Sequence, residues 1–288
     1  MATADRATKR PCMDTGKHTC RIVKGGRWMP EKQIAIVTGA SSGLGREFVK
    51  ILAADDGLDE IWSIARREGG LSLLKQGFGE KIRTFSVDLA DKQATLAFSE
   101  HIRKEQPNIR YLVNSAGFAK FGSYLDVSLE ESLNMIDLNA SGMVAMGLIC
   151  LPYMQRGGHI LNISSQSAFQ PLPYLNLYSA TKAFIRNYSR ALHVELRDRG
   201  ISVTAVCPGW MDTDLIDRAQ TGAQRTVRRF TGMVSPDVVA QKALRDAQRG
   251  KDMSVYGAMI KLAHLVAKVL PQRAMMRIWL WQQGISLK

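Results

Sequence analysis

From Gln33 onward, short and nearly continuous apolar runs alternate with longer stretches whose apolar residues recur every three or four positions. The runs at Ile34–Thr38, Ile61–Ala65, Ile82–Val87, Tyr111–Asn114, His159–Ser164 and Ser202–Val206 are mostly β-branched. Strands buried on both faces have this composition, without the polar alternation of a half-solvated sheet. Helical spacing predicts helices over Leu44–Ala54, Lys92–Lys104, Leu129–Met154 and Ser179–Arg199, then a late helix at Pro236–Arg249 and a strand at Met253–Tyr256. Such alternation folds as an α/β domain, a doubly wound parallel sheet with helices on both faces. With no internal repeat and no low-complexity linker, a single domain over residues 31–256 is expected.

The two ends read differently. Met1–Trp28 is polar and basic without apolar periodicity or a signal-peptide core, so residues 1–30 are expected to be a disordered, dispensable leader. Residues 257–288 form an amphipathic helical extension. Met259, Leu262, Ala263, Val266, Val269 and Leu270 recur opposite Lys261, His264 and Lys268, and Pro271 interrupts. Met275, Met276, Ile278, Trp279, Leu280 and Trp281 then follow beside Arg273 and Arg277. The lysines keep this apolar stretch below the ~18 residues of a membrane span. Its apolar faces would pack on the domain or another subunit, or lie in a membrane interface as a peripheral contact.

Composition narrows the function classes. At 45% hydrophobic residues the 288-residue chain buries a sizeable core, which excludes wholesale disorder. The net charge of +13 divides into +5 over residues 1–33, −2 over 34–217 and +10 over 218–288, so the central region is nearly neutral. Basic residues gathered at the ends, not interleaved with aromatics along a reading helix, argue against nucleic acid. Cys12, Cys20, Cys150 and Cys207 have no paired spacing, which suits a reducing compartment, the cytoplasm. His18, His101, His159, His193 and His264 have no paired spacing either, and no metal site is expected.

Three segments carry chemistry. Thr38-Gly39-Ala40-Ser41-Ser42-Gly43-Leu44-Gly45 links the first strand to the first helix. Glycines there allow a tight turn and bring a pyrophosphate against the backbone N–H groups of a helix N-terminus. The second strand runs into Arg66-Arg67 with no acid, and a guanidinium fork suits a ribose 2′-phosphate, which favours NADP(H) over NAD(H). Tyr178 and Lys182, four residues apart, share one helix face, and Ser165 follows a strand upstream of them. A phenol serves as base near neutrality only if its pKa of ~10 falls by ~3 units, about 4 kcal/mol. A nearby lysine, with the nicotinamide cation, would supply that stabilisation.

With these motifs the chain resembles the short-chain dehydrogenase/reductase family over about residues 31–256, and its Pro-rich approach to Tyr178 and long basic tail resemble hydroxysteroid dehydrogenase and 3-oxoacyl-CoA reductase members more than compact acyl-carrier-protein reductases. The resemblance implies a Rossmann domain and an NAD(P)-dependent oxidoreductase acting on a carbonyl or a secondary alcohol. Gly39, Ser41, Ser42, Gly43, Leu44 and Gly45 match the family's TGxxxGxG, Asp88 its adenine-contacting acid followed by Leu89, and Asn114, Ala116 and Gly117 its NNAG segment. Ser115 departs from that segment's second Asn. Pro208 and Gly209, with Thr213 beyond, match the turn that meets the nicotinamide carboxamide, and Asn139, Ser165, Tyr178 and Lys182 match the catalytic set. By that resemblance Tyr178 is the acid/base, Ser165 holds the substrate oxygen, Lys182 tunes Tyr178 and holds the nicotinamide ribose, and Asn139 anchors a water leading to Lys182.

The substrate would meet Gln166, Phe169 and Tyr174 after Ser165, and a lid over about residues 210–234 that begins at Trp210. Their apolar character points to a steroid, fatty acyl or long-chain ketone, and Arg218, Arg225, Arg228 and Arg229 add positive charge. A homo-oligomer, dimer or tetramer, is expected. The alternative function is an NADP(H)-binding sensor or scaffold that keeps the fold without turnover.

Overall fold

In a computed structural model of the chain, the described residues are 10–11, 19–23, 27–30, 32–220 and 227–285. Cys12, His18 and Arg225 lie outside them, with the other residues of 1–9, 12–18, 24–26, 31, 221–226 and 286–288. Within the leader, strand segments Arg10–Pro11, Thr19–Val23 and Arg27–Pro30 pair antiparallel in a small separate sheet, which the polar pattern of that region did not suggest.

The main sheet comprises β1 (Gln33–Thr38), β2 (Glu60–Ala65), β3 (Ile82–Ser86), β4 (Asn108–Asn114), β5 (Met154–Ile163), β6 (Ser202–Val206) and β7 (Met253–Ser254). All neighbours are parallel, in the order β7-β6-β5-β4-β1-β2-β3. The helices are α1 (Gly43–Ala53), α2 (Glu68–Phe78), α3 (Lys92–Glu105), α4 (Leu129–Ile136), α5 (Met143–Cys150), α6 (Asn176–Glu195), α7 (Asp214–Gln220), α8 (Pro236–Gln248), α9 (Ala258–Val269) and α10 (Gln272–Gln283).

Each inner strand is apolar on both sides because the sheet has a core on each face. Along β1, Ala35 and Val37 join Phe48, Leu52, Ala243 and Leu244 beneath α1 and α8. Ile34 and Ile36 point the other way, to Phe98, Ile102, Met146 and Cys150. A third cluster, with Phe121, Met135, Leu175, Val227, Trp279 and Leu280, lies beyond the carboxyl ends of the strands. Strand order reverses at β1, between β4 and β2, which is where open α/β sheets form a crevice for a ligand.

Two predicted elements are corrected. Leu129–Met154 is not one α-helix: a π-helical turn, Asp137–Gly142, separates α4 from α5, a 3-10 turn at Leu151–Tyr153 follows, and Met154 opens β5. Pro152 has no N–H to continue the helix, and Met154 pairs with Ile109 across a register shift. The helix of Tyr178 starts earlier than expected, at Asn176, and ends at Glu195. Among the described residues, Leu129–Tyr153 is also long and apolar enough by composition to cross a membrane, yet it packs on α3 and α6 and carries fully buried Asn139.

Candidate active site

The turn after β1 is shaped by close approach. Gly39 has φ +66°, and a Cβ there would come within 2.8 Å of the Ala116 nitrogen and the Ser115 carbonyl. A Cβ on Gly45 would lie 2.3 Å from the Gly39 carbonyl oxygen, so α1 can begin this near its own turn only without a side chain. Thr38 Oγ1 accepts from both the Ser115 and Ala116 N–H groups, at 3.1 Å each, which ties the ends of β1 and β4 together. Ser115 makes this contact through its backbone, so the departure from Asn leaves it intact. At the start of α1, Ser42 makes no side-chain cap. The first-turn N–H groups therefore border the crevice with their positive dipole end uncapped by their own helix.

Two arginines stand over this turn. Arg67 Nη2 donates to Ser42 Oγ at 3.2 Å, and Arg66 Nη1 donates to Asp88 Oδ2 at 3.3 Å. Asp88 Oδ1 also accepts from the Ala90 N–H, which holds the carboxylate beside Arg66. Exposed pairs of this kind are worth about 0–1 kcal/mol, so both guanidinium groups are easily turned to a phosphate. Gly70 was not singled out by sequence, yet its α2 backbone touches the same turn: a Cβ there would meet Ser41 at 2.7 Å.

Ser165, Tyr178 and Lys182 converge at the ends of β5 and α6. Tyr178 is buried with its hydroxyl beside Ser165. Burial pushes its pKa up to about 12, and the Ser165 hydroxyl works in the opposite direction. Lys182 Nζ donates to the Ile163 carbonyl at 2.8 Å and lies 5.5 Å from the Tyr178 ring centroid. Burial brings its pKa down to about 8. Ser165 Oγ also accepts from the Ser167 N–H at 3.1 Å, which fixes its rotamer.

Asn139 stands behind this group within the π-helical turn. Its Oδ1 accepts from the Phe118 N–H and its Nδ2 donates to the Phe118 carbonyl, both at 3.0 Å, with a further bond to Thr181 Oγ1 at 3.2 Å. A Cβ on Gly117 would meet Asn139 Oδ1 at 2.8 Å and Lys182 Nζ at 3.7 Å, so Gly117 is what lets these groups face one another. Asn139 thus pins the Gly117–Phe118 backbone to the helix of Tyr178 and Lys182. Asn114, from β4, is likewise buried behind the site and donates to Asn162 Oδ1 at 2.9 Å.

A cavity of about 830 Å³ connects these parts. Gly39, Ser41, Ser42, Gly43, Leu44, Arg66, Leu89, Ala116, Gly117, Ser165, Tyr178, Lys182, Pro208, Gly209 and Thr213 all line it. So does Arg67, the second arginine of the pair after β2. Gly45, Asp88, Asn114 and Asn139 support the wall without lining it. Of the expected substrate residues, Gln166, Phe169 and Trp210 line the cavity and Tyr174 does not. Tyr174 has a left-handed backbone (φ +66°), its carbonyl accepts from the Gly122 N–H, and its ring joins the third cluster.

The wall opposite Tyr178 was missed by sequence reasoning. It comes from α9 and α10, through Met259, Ile260, Met275, Ile278, Trp279 and Trp281. Buried Trp279 donates from Nε1 to the Pro173 carbonyl at 2.9 Å. Gln283 Oε1 accepts from the Arg228 and Arg229 N–H groups at 3.0 and 3.1 Å, and its Nε2 donates to the Arg229 carbonyl at 3.2 Å. These bonds fasten α10 under the lid. Apolar spacing showed that this helix has a buried face, but nothing in it says which surface covers that face.

The residues fit a dinucleotide: a glycine-lined turn, an uncapped helix start, two arginines at the adenosine end and Tyr178 with Lys182 at the other. The chain matches the family model described as short chain dehydrogenase over residues 33–224. An uncharacterized oxidoreductase of Staphylococcus epidermidis is 31% identical over 197 residues, 68% of this chain and 85% of that protein. A short-chain dehydrogenase from Sphingobium yanoikuyae, solved with NADPH, superposes with TM-score 0.69 at 24% identity, covering 85% of this chain and 95% of that one. A Burkholderia phymatum member of the same family, solved with NAD, superposes with TM-score 0.70 at 18% identity, covering 83% and 95%.

Proposed function

The chain belongs to the short-chain dehydrogenase/reductase family, and from that premise we propose that this oxidoreductase reduces an apolar ketone with NADPH, or oxidises the matching alcohol, with Tyr178 as the proton donor. The observation that carries the reading is the buried Ser165–Tyr178–Lys182 group at the meeting point of a glycine-turn crevice and an apolar cavity.

When bound, NADP(H) supplies or accepts the hydride. The chain's own residues do the rest. Ser165 and the Tyr178 hydroxyl hold the substrate oxygen, where the hydrogen bonds strengthen as charge develops. Tyr178 Oη gives its proton to that oxygen, and with a pKa near 12 it carries the proton throughout neutral pH. Lys182 keeps a positive charge on the same helix face, and its neighbour Gly117 leaves room for a ribose. Phe169, Leu172, Trp210 and Trp279 exclude water from the oxygen. A ligand-binding protein without turnover would need the glycine turn and the arginines but not this buried triad.

Arg66 and Arg67 support NADP(H) over NAD(H), because both reach the crevice from the end of β2, where no acid faces a ribose diol. An apolar face also supports a homo-oligomer: Leu133, Ile136, Leu148, Phe184 and Val194 are exposed on α4, α5 and α6, and a second copy would cover them. The buried, unpaired Cys150 and Cys207 are consistent with a cytoplasmic protein.

Tyr178→Phe should bind NADPH as the native chain does and lose about 10²–10⁴ of turnover, read as NADPH absorbance across a panel of steroid, 3-oxoacyl thioester and aliphatic ketones. Undiminished turnover would remove Tyr178 from the chemistry. Replacing Arg66 or Arg67 by Ala should weaken NADPH binding by about tenfold, the worth of one charge-assisted hydrogen bond, and leave NADH within about twofold. Equal losses for the two nucleotides would reject the cofactor assignment.

A further inference from the structure

The helix α9 packs on the domain through one narrow side. Ile260 reaches the Gly209 backbone, and the His264 ring lies 4.1 Å from that of Phe169. None of its residues is fully buried, and the side turned from the domain is exposed. Leu262, Leu265 and Val269 project on one stripe, 61%, 58% and 76% exposed, with Met259 at its edge. Lys261 and Lys268 flank the stripe at helical spacing. On α10, Arg273 and Arg277 are exposed beside Trp281. From Met253 onward the sequence contains no acid. A contiguous apolar stripe with a purely cationic border is what an in-plane interfacial helix presents to anionic headgroups.

The cavity opens on this same surface. Met259 and Trp281 line the cavity while remaining 68% and 78% exposed, so they mark its apolar rim between α9 and α10. A second copy of the chain is a poor occupant. An isologous contact through these helices would bring the two copies' cationic borders, Lys261, Lys268, Arg273 and Arg277, together with no acid from either helix between them.

We propose that α9 and the exposed side of α10 dock on an anionic lipid surface, and that the apolar substrate passes from the lipid into the cavity between Met259 and Trp281. The entry route rests on the reading of the cavity as a site for an apolar carbonyl compound; the docking does not.

The test uses the full chain with vesicles of phosphatidylcholine, alone or mixed with phosphatidylserine. The chain should sediment with the mixed vesicles, less with the neutral ones, and be released as salt is raised. The double variant Leu262→Asp, Leu265→Asp should lower partitioning by about tenfold or more, and the pair Lys261→Glu, Lys268→Glu should do so on mixed vesicles only. Neither pair lines the cavity, so both variants should reduce a short water-soluble ketone at the native rate. The leucine variant should be slower on a long-chain ketone presented within vesicles.

No sedimentation with either vesicle, or partitioning unchanged in the leucine variant, would overturn the docking. A smaller assembly of that variant by light scattering, without native vesicle binding to lose, would overturn it in favour of an interface between copies. Vesicle binding with equal rates on embedded ketone would overturn the entry route. A chain that binds vesicles but reduces no carbonyl would sink the reductase reading and leave the docking standing.

Discussion

Tyr178 and Lys182 sit one helical turn apart in the same buried wall, and burial moves both toward their neutral forms. The lysine does not pull the phenol down in the free protein. Its Nζ bonds to the Ile163 carbonyl, and desolvation outweighs any attraction to a phenolate. The sequence expectation of a lowered Tyr178 pKa invoked the nicotinamide cation as well as Lys182, and in the free protein burial instead holds the phenol above its ordinary value. Burial brings Lys182 to about 8 from an ordinary 10.5, within reach of neutral pH. Because kcat/KM for the ketone reports the enzyme–NADPH form, reduction should be flat while Lys182 holds its proton in that form and fall about tenfold per pH unit once it titrates. Lys182→Arg, whose charge persists, should move that falling limb to higher pH, and an unmoved limb would place the titration elsewhere. Stability has the opposite slope. Between about 8 and 10.5 the unfolded chain holds a proton that the folded one has lost, so this residue's contribution rises with pH across that window.

Strands covered on both faces have no polar alternation to confuse with a helix. The apolar runs located all seven main strands and four of them to within a residue, whereas β4 and β5 begin three and five residues before their apolar runs and β7 ends two residues early. Elements governed by backbone contact were not legible. Helix α2 carries Gly69, Gly70 and Gly77 and buries only Leu71 and Leu74, so its periodicity is faint, yet Gly70 is what lets it touch the Ser41 turn. The π-helical turn is equally silent in sequence. It brings Gly142 so near the loop after β3 that a Cβ would lie 2.5 Å from the Leu89 carbonyl oxygen. In an ordinary helix Gly→Ala gains up to ~1 kcal/mol. At Gly142 the clash is with backbone, and overpacking of that kind costs about 1–3 kcal/mol. Gly142→Ala should therefore lower stability to denaturant and reduce turnover by displacing Asn139 from Phe118. Gly147→Ala, in α5 with nothing within 4 Å of the added Cβ, is the paired control and should be neutral or stabilising. Equal behaviour of the two would mean that the turn yields without effect on the site.

Across the whole molecule, the glycine turn, the two arginines and the Tyr178 group were readable because each is a local string that lines one cavity. The substrate wall was not, since it joins segments more than fifty residues apart. Gln283 is the plainest case: a polar residue near the end of an amphipathic helix, yet buried, and bonded to the lid backbone at Arg228 and Arg229. Those three bonds hold α10 across the cavity, with Trp279 tied to Pro173 at its other side. The positive excess of the C-terminal region follows the same division, with arginines of the lid above α10 and lysines on the bare side of α9. If α10 closes the substrate end alone, then cutting its tie to the lid should separate the two ligands. Gln283→Ala leaves two lid N–H groups without their acceptor, a loss of about 1–3 kcal/mol. The expected result is a KM for an apolar ketone raised about tenfold with the NADPH dissociation constant unchanged. Gln283→Glu, which keeps an acceptor for both N–H groups, should recover most of the affinity. A matching loss of NADPH binding would mean instead that α10 supports the whole crevice.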